Sequence, residues 1–222
     1  ENVSDIEYEL EQLNASGFKR LELTPFGGFV NSMGIEKFYL MAKKFDLKIV
    51  GWQGIAYDIA NLHSAEWSER KQELKALSHE FRPYYMCFGA PNIRQNFLND
   101  LLSLMHLADL IGSCRLMIEI LSSNFGGSWG NCPYEIYNFC HNTDNIGLLY
   151  DSFGSSLVRN SLKPDHLHAS SKNLRNLSVD KNLISFLEQF RSDVEYITIE
   201  QFKTDALTLK RIKYLLLGHF DS

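Results

Sequence analysis

The sequence contains no apolar run long enough to cross a membrane, and it has no excess of positive charge. A membrane-spanning helix needs about 20 consecutive apolar residues, and no segment of the 222 residues approaches that length. The 22 Lys and Arg are outnumbered by 27 Asp and Glu, which gives a formal net charge of −5. Proteins that bind the phosphate backbone of nucleic acids present a basic surface. Neither a membrane nor a nucleic acid is therefore expected as a partner.

Cysteine is scarce, and no two cysteines are spaced as a CxxC pair. The four are Cys87, Cys114, Cys132 and Cys140, and such usage is typical of a reduced protein rather than of a disulfide scaffold. The first residues, ENVSDIEYELEQL, predict an acidic helix and not an apolar leader segment. We therefore expect a cytoplasmic location.

The sequence does contain a regular alternation of short apolar runs and amphipathic helices. Seven strand-like runs alternate with eight predicted helices, which indicates a parallel sheet with right-handed crossovers. The runs are Lys19–Phe26, Leu47–Ile55, Tyr84–Ala90, Arg115–Ile120, Ile146–Asp151, Asp165–His168 and Glu195–Glu200. The pattern predicts a single domain over residues 1–222, a (β/α)8 TIM barrel. The first strand of eight is missing, either cut from the N-terminus or absent from an incomplete barrel.

Four successive runs end on a side chain that can bind a metal ion. These side chains are Glu119, Asp151, His168 and Glu200. Because parallel strands of a barrel point their C-terminal ends at one face, the four side chains are expected to converge there. Three carboxylates and an imidazole suit one divalent ion, namely Mn, Mg, Co or Zn, with Fe also compatible. The alternative is that each is an ordinary polar residue at a strand end that faces solvent.

These residues and their order resemble the xylose isomerase-like TIM barrels, specifically the sugar phosphate isomerase/epimerase family. The family carries a Glu…Asp…His…Glu metal set on four strands, matched here by LMIEI, LLYD, HLHAS and ITIE. GFKRLEL with Glu22, IVGWQGI and CFGAPNIR resemble its second, third and fourth strands. The resemblance runs over almost the whole chain and implies that Glu119, Asp151, His168 and Glu200 bind the metal.

The resemblance also implies a reaction and a substrate class. Glu119 and Glu200 would be the catalytic acid and base, working on opposite faces of the carbon next to a carbonyl. The metal would hold the substrate oxygens and stabilise an enediolate. The implied partner is a small-molecule sugar or sugar phosphate, and a homodimer is left open.

Six further residues are interpreted as substrate-binding candidates, several with an equally simple structural alternative. Trp52 would stack on a sugar or belong to the core, and one of Trp52 and Gln53 should point inward. Arg94 would hold a phosphate or carboxylate or begin a helix at the surface. The full set is Glu22, Trp52, Gln53, Arg94, Asn124 and Lys172. His166 is expected to face away from His168, beneath a helix, and is left out of the metal set.

Two departures from the family pattern leave other functions open. Gly154 stands where ketose 3-epimerases of the family usually have a histidine, and Ser171, Lys172 and Arg175 follow the metal histidine where a Glu and an Arg are usual. Lys172 either replaces the missing cation or lies in a solvated loop. One alternative is a catalytically degenerate barrel that binds a sugar-like ligand or a partner. Others are a dehydratase or lyase using the same enediolate chemistry and, least favoured, an apurinic-site endonuclease, which needs more histidines and a basic surface.

Overall fold

In the part of the chain that the structure describes, seven parallel strands in sequential order form a nearly closed barrel that is surrounded by helices. The computed structural model describes residues 3–27, 30, 33–89, 93–120, 129–130, 132–152, 162–170, 181–190, 192, 194, 196–200 and 206–220. The strands are β1 Arg20–Leu23, β2 Lys48–Trp52, β3 Tyr85–Phe88, β4 Arg115–Glu119, β5 Ile146–Asp151, β6 His166–Ala169 and β7 Ile197–Ile199. The predicted fold class, an α/β TIM barrel with seven strands in the chain, is confirmed.

The helices follow the predicted alternation. They are α1 Val3–Ala15, α2 Ile35–Lys44, α3 Ala65–Phe81, α4 Phe97–Ile111, α5 Pro133–His141, α6 Lys181–Phe190 and α7 Ala206–Phe220. Ser64 caps α3 by accepting a hydrogen bond from the Trp67 backbone N–H at 3.1 Å, the usual role of serine at this position. The helix predicted near residues 155–161 lies outside the described residues. None of the described helices has the length and apolarity that crossing a bilayer would require.

The two faces of the sheet have different partners. The larger apolar core lies between the strands and the helices, and it includes Leu116 and Ile118 of β4. Inside the barrel, Met117 of β4 belongs to a smaller cluster with Tyr85 and Leu149. Because side chains alternate along a strand, Glu119 follows Met117 on the interior side. This alternation directs the strand-end carboxylate towards the barrel axis.

A β-bulge in β2 corrects the interpretation of Trp52. Leu21 of β1 pairs with Ile49, but Glu22 pairs with Gly51, so Val50 is an extra residue on β2. A bulge of this kind shifts the alternation of the residues that follow it. Trp52 is consequently turned to the helix side, where it is fully buried and donates its indole N–H to the Tyr39 hydroxyl at 3.0 Å. The predicted stacking of Trp52 on a sugar is wrong.

The barrel is closed at one seam by side chains. Among the described residues no backbone ladder joins β1 to β7. Instead, the Thr198 hydroxyl of β7 donates a hydrogen bond to Glu22 Oε1 of β1 at 2.6 Å. Outside the seam, helices α1 and α7 lie against each other. Glu22 therefore belongs to the barrel interior.

The assignment of residues 1–222 to one domain stays a prediction.

Candidate metal centre

Three of the four predicted metal ligands converge at the C-terminal ends of β5, β6 and β7. Asp151, His168 and Glu200 each offer a donor atom, and these atoms lie within 4.8 Å of one another. The strand register produces this meeting, because Asp151 pairs with His168 and the Glu200 backbone N–H donates to the Ala169 carbonyl at 3.0 Å. Asp151 and His168 are only 5% and 2% exposed.

Glu119 lies next to these three residues, but its carboxylate is not within 4.8 Å of all three of their donor atoms. Burial raises the pKa of Glu119 to about 8, and the charges of Asp151 and Glu200 add to that rise. The end of β3 leaves room for this side chain, since a Cβ placed on Gly89 would lie 2.0 Å from Glu119 Oε2. The β3 end therefore needs glycine for Glu119 to occupy its position.

The donor set fits a divalent cation. Three carboxylates crowded with one imidazole in a largely buried site repel one another, and placing negative charge there is costly without a counter-charge. Carboxylate oxygens with one imidazole nitrogen are ligands that Mn²⁺, Zn²⁺, Co²⁺ and Fe²⁺ accept. Asp151, His168 and Glu200 would hold the ion, with Glu119 beside them.

Glu22 lies beneath the group, inside the barrel, where its side chain is 3% exposed. Its Oε1 accepts hydrogen bonds from the hydroxyls of Tyr85 at 2.7 Å and Thr198 at 2.6 Å, and it lies 2.8 Å from His166 Nε2. Burial opposes the charge on Glu22, but His168 and His166 hold its pKa well below the usual range. Because the Glu22 side chain is almost fully buried and its carboxylate is held by side chains of the barrel interior, the predicted substrate contact of Glu22 does not fit.

His166 faces the barrel interior, and the prediction that it packs beneath a helix is wrong. It is fully buried, and its ring lies 4.5 Å from the Tyr85 ring and 5.1 Å from the His168 ring, centroid to centroid. The expectation misapplied the two-residue period of a β-strand. Residues two apart in a strand share a face, so His166 and His168 had to point the same way.

Arg94 supports the site from behind instead of facing substrate. Its guanidinium donates to the backbone carbonyls of Phe88 at 3.2 Å and Glu119 at 2.8 Å. It also lies over the rings of Phe88 and Trp129, at 5.3 and 4.7 Å from their centroids. Arg94 is 1% exposed. The prediction that it holds a phosphate or carboxylate of the substrate is replaced by a structural role that fixes the ends of β3 and β4.

Asp100, which sequence reasoning missed, joins three loops at this face of the barrel. Its Oδ2 accepts hydrogen bonds from the backbone N–H groups of Gln95 and Asn96, and from the Trp129 indole at 2.7 Å. Its Oδ1 lies 2.9 Å from His63 Nε2. Asp100 is 1% exposed. The only signal in the sequence was an aspartate in the first turn of a helix, which is common wherever a helix begins.

Tyr57 was also missed, and it lies in the loop between β2 and α3, at the mouth of the site. Burial around its hydroxyl raises the pKa of Tyr57, and the charges of Glu119 and Glu200 raise it further, although the residue as a whole is 59% exposed. Its ring packs on Gly54, where an added Cβ would lie 2.7 Å from Cδ2. An exposed aromatic ring therefore lies within electrostatic range of Glu119 and Glu200.

Arg70 of α3 fixes this loop on both sides of Tyr57. Its guanidinium donates to the Ile55 carbonyl at 3.2 Å and makes two hydrogen bonds with the Asp58 carboxylate, at 3.0 and 2.6 Å. It also lies 3.5 Å from the centroid of the Phe26 ring. Two-point binding of this kind is specific to arginine, so the position of Tyr57 is determined by contacts that lie outside the site.

The remaining predicted residues divide into one that the structure describes and several that it does not. Gln53 follows β2, is half-buried, and donates its backbone N–H to the Leu23 carbonyl at 2.8 Å. Its role as a substrate contact stays a prediction. Asn124 and Lys172 lie outside the described residues, as do Gly154, Ser171 and Arg175.

Comparison with solved structures identifies the class of fold. A xylose isomerase domain protein from Salmonella typhimurium LT2 superimposes with a TM-score of 0.72 at 13% identity, over 96% of this chain and 92% of that one. A xylose isomerase domain protein from Alicyclobacillus acidocaldarius gives 0.68 at 11% identity, over 96% and 94%. The probable 3-DHS dehydratase of petrobactin synthesis from Bacillus anthracis gives 0.63 at 12% identity, over 97% and 93%.

The chain thus has the xylose isomerase-like TIM-barrel fold, and the resemblance seen in the sequence is confirmed at the level of fold. No family model matches the chain, and no curated protein matches it in sequence. One of these neighbours is named as a probable dehydratase, but at 11 to 13% identity the likeness shows the fold alone. Because one barrel fold supports many reactions, the activity has to be argued from the site.

Proposed function

We propose that this chain is a divalent-metal-dependent isomerase or epimerase of sugars or sugar phosphates. The observation that carries the proposal is the convergence of Asp151, His168 and Glu200 within 4.8 Å at the C-terminal face, with Glu119 beside them. TIM-barrel enzymes place their active sites at this face. A bound ion would supply positive charge that polarises a carbonyl and stabilises the negative charge that develops on oxygen.

The roles of the side chains follow from their strands. Asp151 and His168 bind the ion. Glu119 ends β4 and Glu200 follows β7, so two strands separate them and they approach the site from different sides. One glutamate takes the proton from the carbon next to a carbonyl, and the other returns a proton to the opposite face or to the neighbouring carbon. Burial of the site excludes the water that would otherwise compete for the proton.

Proton exchange with solvent tests this proposal. The Mn²⁺-loaded chain is incubated in D₂O with a panel of ketoses and sugar phosphates, and deuterium at carbon is followed by NMR. Glu119→Gln and Glu200→Gln are each expected to slow exchange at least about 100-fold, the usual contribution of a general acid or base. Glu66→Gln, at an exposed position of α3, is the matched control.

Elemental analysis completes the test. About one ion per chain is expected in the wild type, and its loss is expected in the double variant Glu119→Gln/His168→Ala. An ion-free wild type at every metal concentration would refute the proposal. A bound ion without exchange on any sugar would favour a barrel that binds a sugar-like ligand without catalysis. Loss of water from the substrate instead of exchange would indicate a dehydratase.

Tyr57 is expected to contribute to substrate binding through its ring. Tyr57→Ala should raise KM in the exchange assay about fivefold, since one aromatic contact contributes roughly 1 kcal/mol, with kcat changed less than about threefold. Tyr57→Phe keeps the ring and should retain a KM near the wild-type value. Tyr8→Ala removes a tyrosine that is 62% exposed on α1 and serves as the control. Wild-type KM in Tyr57→Ala would exclude a substrate contact.

A further inference from the structure

The two ring nitrogens of His168 face different partners. Nδ1 lies on the side of the metal group, 3.6 Å from Glu200 Oε2. Nε2 points into the barrel, where it lies 3.1 Å from Glu22 Oε2 and 3.3 Å from Glu22 Oε1. Oε2 has no other hydrogen-bond partner among the described residues. The imidazole is therefore placed between the predicted ligands and one buried carboxylate.

This arrangement determines which nitrogen can bind a cation. An ionised carboxylate only accepts hydrogen bonds, so Nε2 must carry the proton that it shares with Glu22. In a neutral imidazole the other nitrogen then has a free lone pair, and that nitrogen is Nδ1, on the side of Asp151 and Glu200. A carboxylate that accepts a hydrogen bond from a metal-binding histidine fixes both the tautomer and the orientation of the imidazole ring.

We propose that Glu22 is a positioning residue that acts through His168 and keeps Nδ1 available for the metal ion. The inference rests on the proposed function, because it assigns the support of that same site. Glu22 is itself held in place by Tyr85, Thr198 and His166, all of which contact Oε1. Its carboxylate is thereby kept below His168 and away from the substrate side.

A second cation is the competing explanation for the same residues. Donor atoms of Glu22, His166 and His168 also lie within 4.8 Å of one another. However, Oε1 already has two hydroxyl donors and the His166 nitrogen at hydrogen-bond distance, which accounts for the carboxylate without an ion. The two explanations differ in stoichiometry, with one ion per chain if Glu22 positions His168 and two if Glu22 is a ligand.

The variant Glu22→Gln tests the proposal because it reverses the hydrogen bond without changing the size of the side chain. The amide oxygen is expected at the Oε1 position, where Tyr85 and Thr198 donate, which turns the NH₂ group towards His168. Nε2 must then accept, and the proton moves to Nδ1, where the ion would bind. Glu66→Gln makes the same chemical change at an exposed position of α3 and is the matched control.

The two measurements are equilibrium dialysis with Mn²⁺ and ¹⁵N NMR of the histidine rings in metal-free protein, the NMR at a pH high enough for His168 to be neutral, because Glu22 and Glu200 raise its pKa against the effect of burial. Glu22→Gln is expected to bind Mn²⁺ about 10- to 100-fold more weakly, still at one ion per chain. In the NMR spectrum, the proton of His168 is expected on Nδ1 in Glu22→Gln and on Nε2 in the wild type. Glu66→Gln should stay within about threefold of the wild type. Thermal unfolding of each metal-free variant verifies that it is folded.

The outcomes separate this proposal from the function on which it rests. If the wild type binds one ion and Glu22→Gln binds it equally well, the positioning role is refuted and the metal centre stands. Two ions in the wild type, one of them lost in Glu22→Gln, would also refute it and make Glu22 a ligand. A wild type that binds no ion would refute the metal centre and the positioning role together.

Discussion

Saturating Mn²⁺ is expected to raise the free energy of unfolding of the wild-type chain by about 2.7 kcal/mol when the free ion is at 100 times its Kd. An ion that binds only the folded chain stabilises it by mass action, and the folded chain brings together Asp151, His168 and Glu200, donors that lie far apart in the unfolded sequence. For a chain of this length the gain corresponds to a rise in Tm of about 5 to 10 °C. Calorimetry with and without a chelator measures it.

Asp151→Asn should separate the stability of the metal-free protein from the stability that the ion adds. Without metal, the variant should be at least as stable as the wild type, because Asp151 is 5% exposed and its charge acts against Glu119. With Mn²⁺, the added stability should be largely lost, since one of three ligands is gone. Asp109→Asn, at an exposed position of α4, should keep the full response. An equal rise in Tm for Asp151→Asn and the wild type would place the ion elsewhere.

The convergence of strand-end side chains at one face could be predicted from sequence because its signal is local. Glu119, Asp151 and Glu200 each end an apolar run of a few residues, and a strand that ends on a carboxylate can be recognised within its own segment. The parallel topology then brings these side chains together, because every strand has its C-terminal end at the same face of the barrel. The structure brings Asp151, His168 and Glu200 within 4.8 Å. Glu119 lies beside them and outside that limit.

The orientation of Trp52 could not be predicted, because it depends on pairing between strands. Alternation along β2 is regular in the sequence, and the extra residue Val50 becomes visible only from the pairing of Leu21 with Ile49 and of Glu22 with Gly51. Gly51 is the one weak indication of the bulge in the sequence, since glycine within a strand often accompanies a β-bulge or a close approach of another chain segment. A Cβ at this position would lie 2.1 Å from the Tyr85 ring. His166 is a different case, because its orientation follows from the period of a strand.

Arg94 and Asp100 could not be assigned because their partners are distant in sequence. Arg94 bonds the carbonyl of Glu119, and Asp100 bonds the side chains of His63 and Trp129. From sequence each is a polar residue near the start of a helix, where exposure is the usual outcome. Burial together with several hydrogen bonds distinguishes a structural role from a binding role, and neither can be read from the local pattern.

Arg94→Met is expected to lower the free energy of unfolding by about 3 kcal/mol or more, because two backbone carbonyls lose hydrogen bonds from a buried charged donor, each worth roughly 1.5 to 3 kcal/mol. Methionine fills much of the space between the rings of Phe88 and Trp129. It cannot donate to the carbonyls of Phe88 and Glu119, and it removes the positive charge near Asp100. Arg94→Lys should lose most of the same stability, since one ammonium group cannot match the planar fork. Urea unfolding measures both variants.

The same variants decide between the two roles that have been considered for Arg94. Arg211→Ala, at an exposed position of α7, should change stability by no more than about 0.5 kcal/mol. If Arg94 fixes the end of β4, Arg94→Met should unfold at lower urea and bind Mn²⁺ more weakly, because Glu119 loses its support. If Arg94 instead binds a phosphate of the substrate, urea unfolding and Mn²⁺ binding should match the wild type, and only the KM for sugar phosphates should rise. The hydrogen bonds of its guanidinium to two backbone carbonyls favour the first outcome.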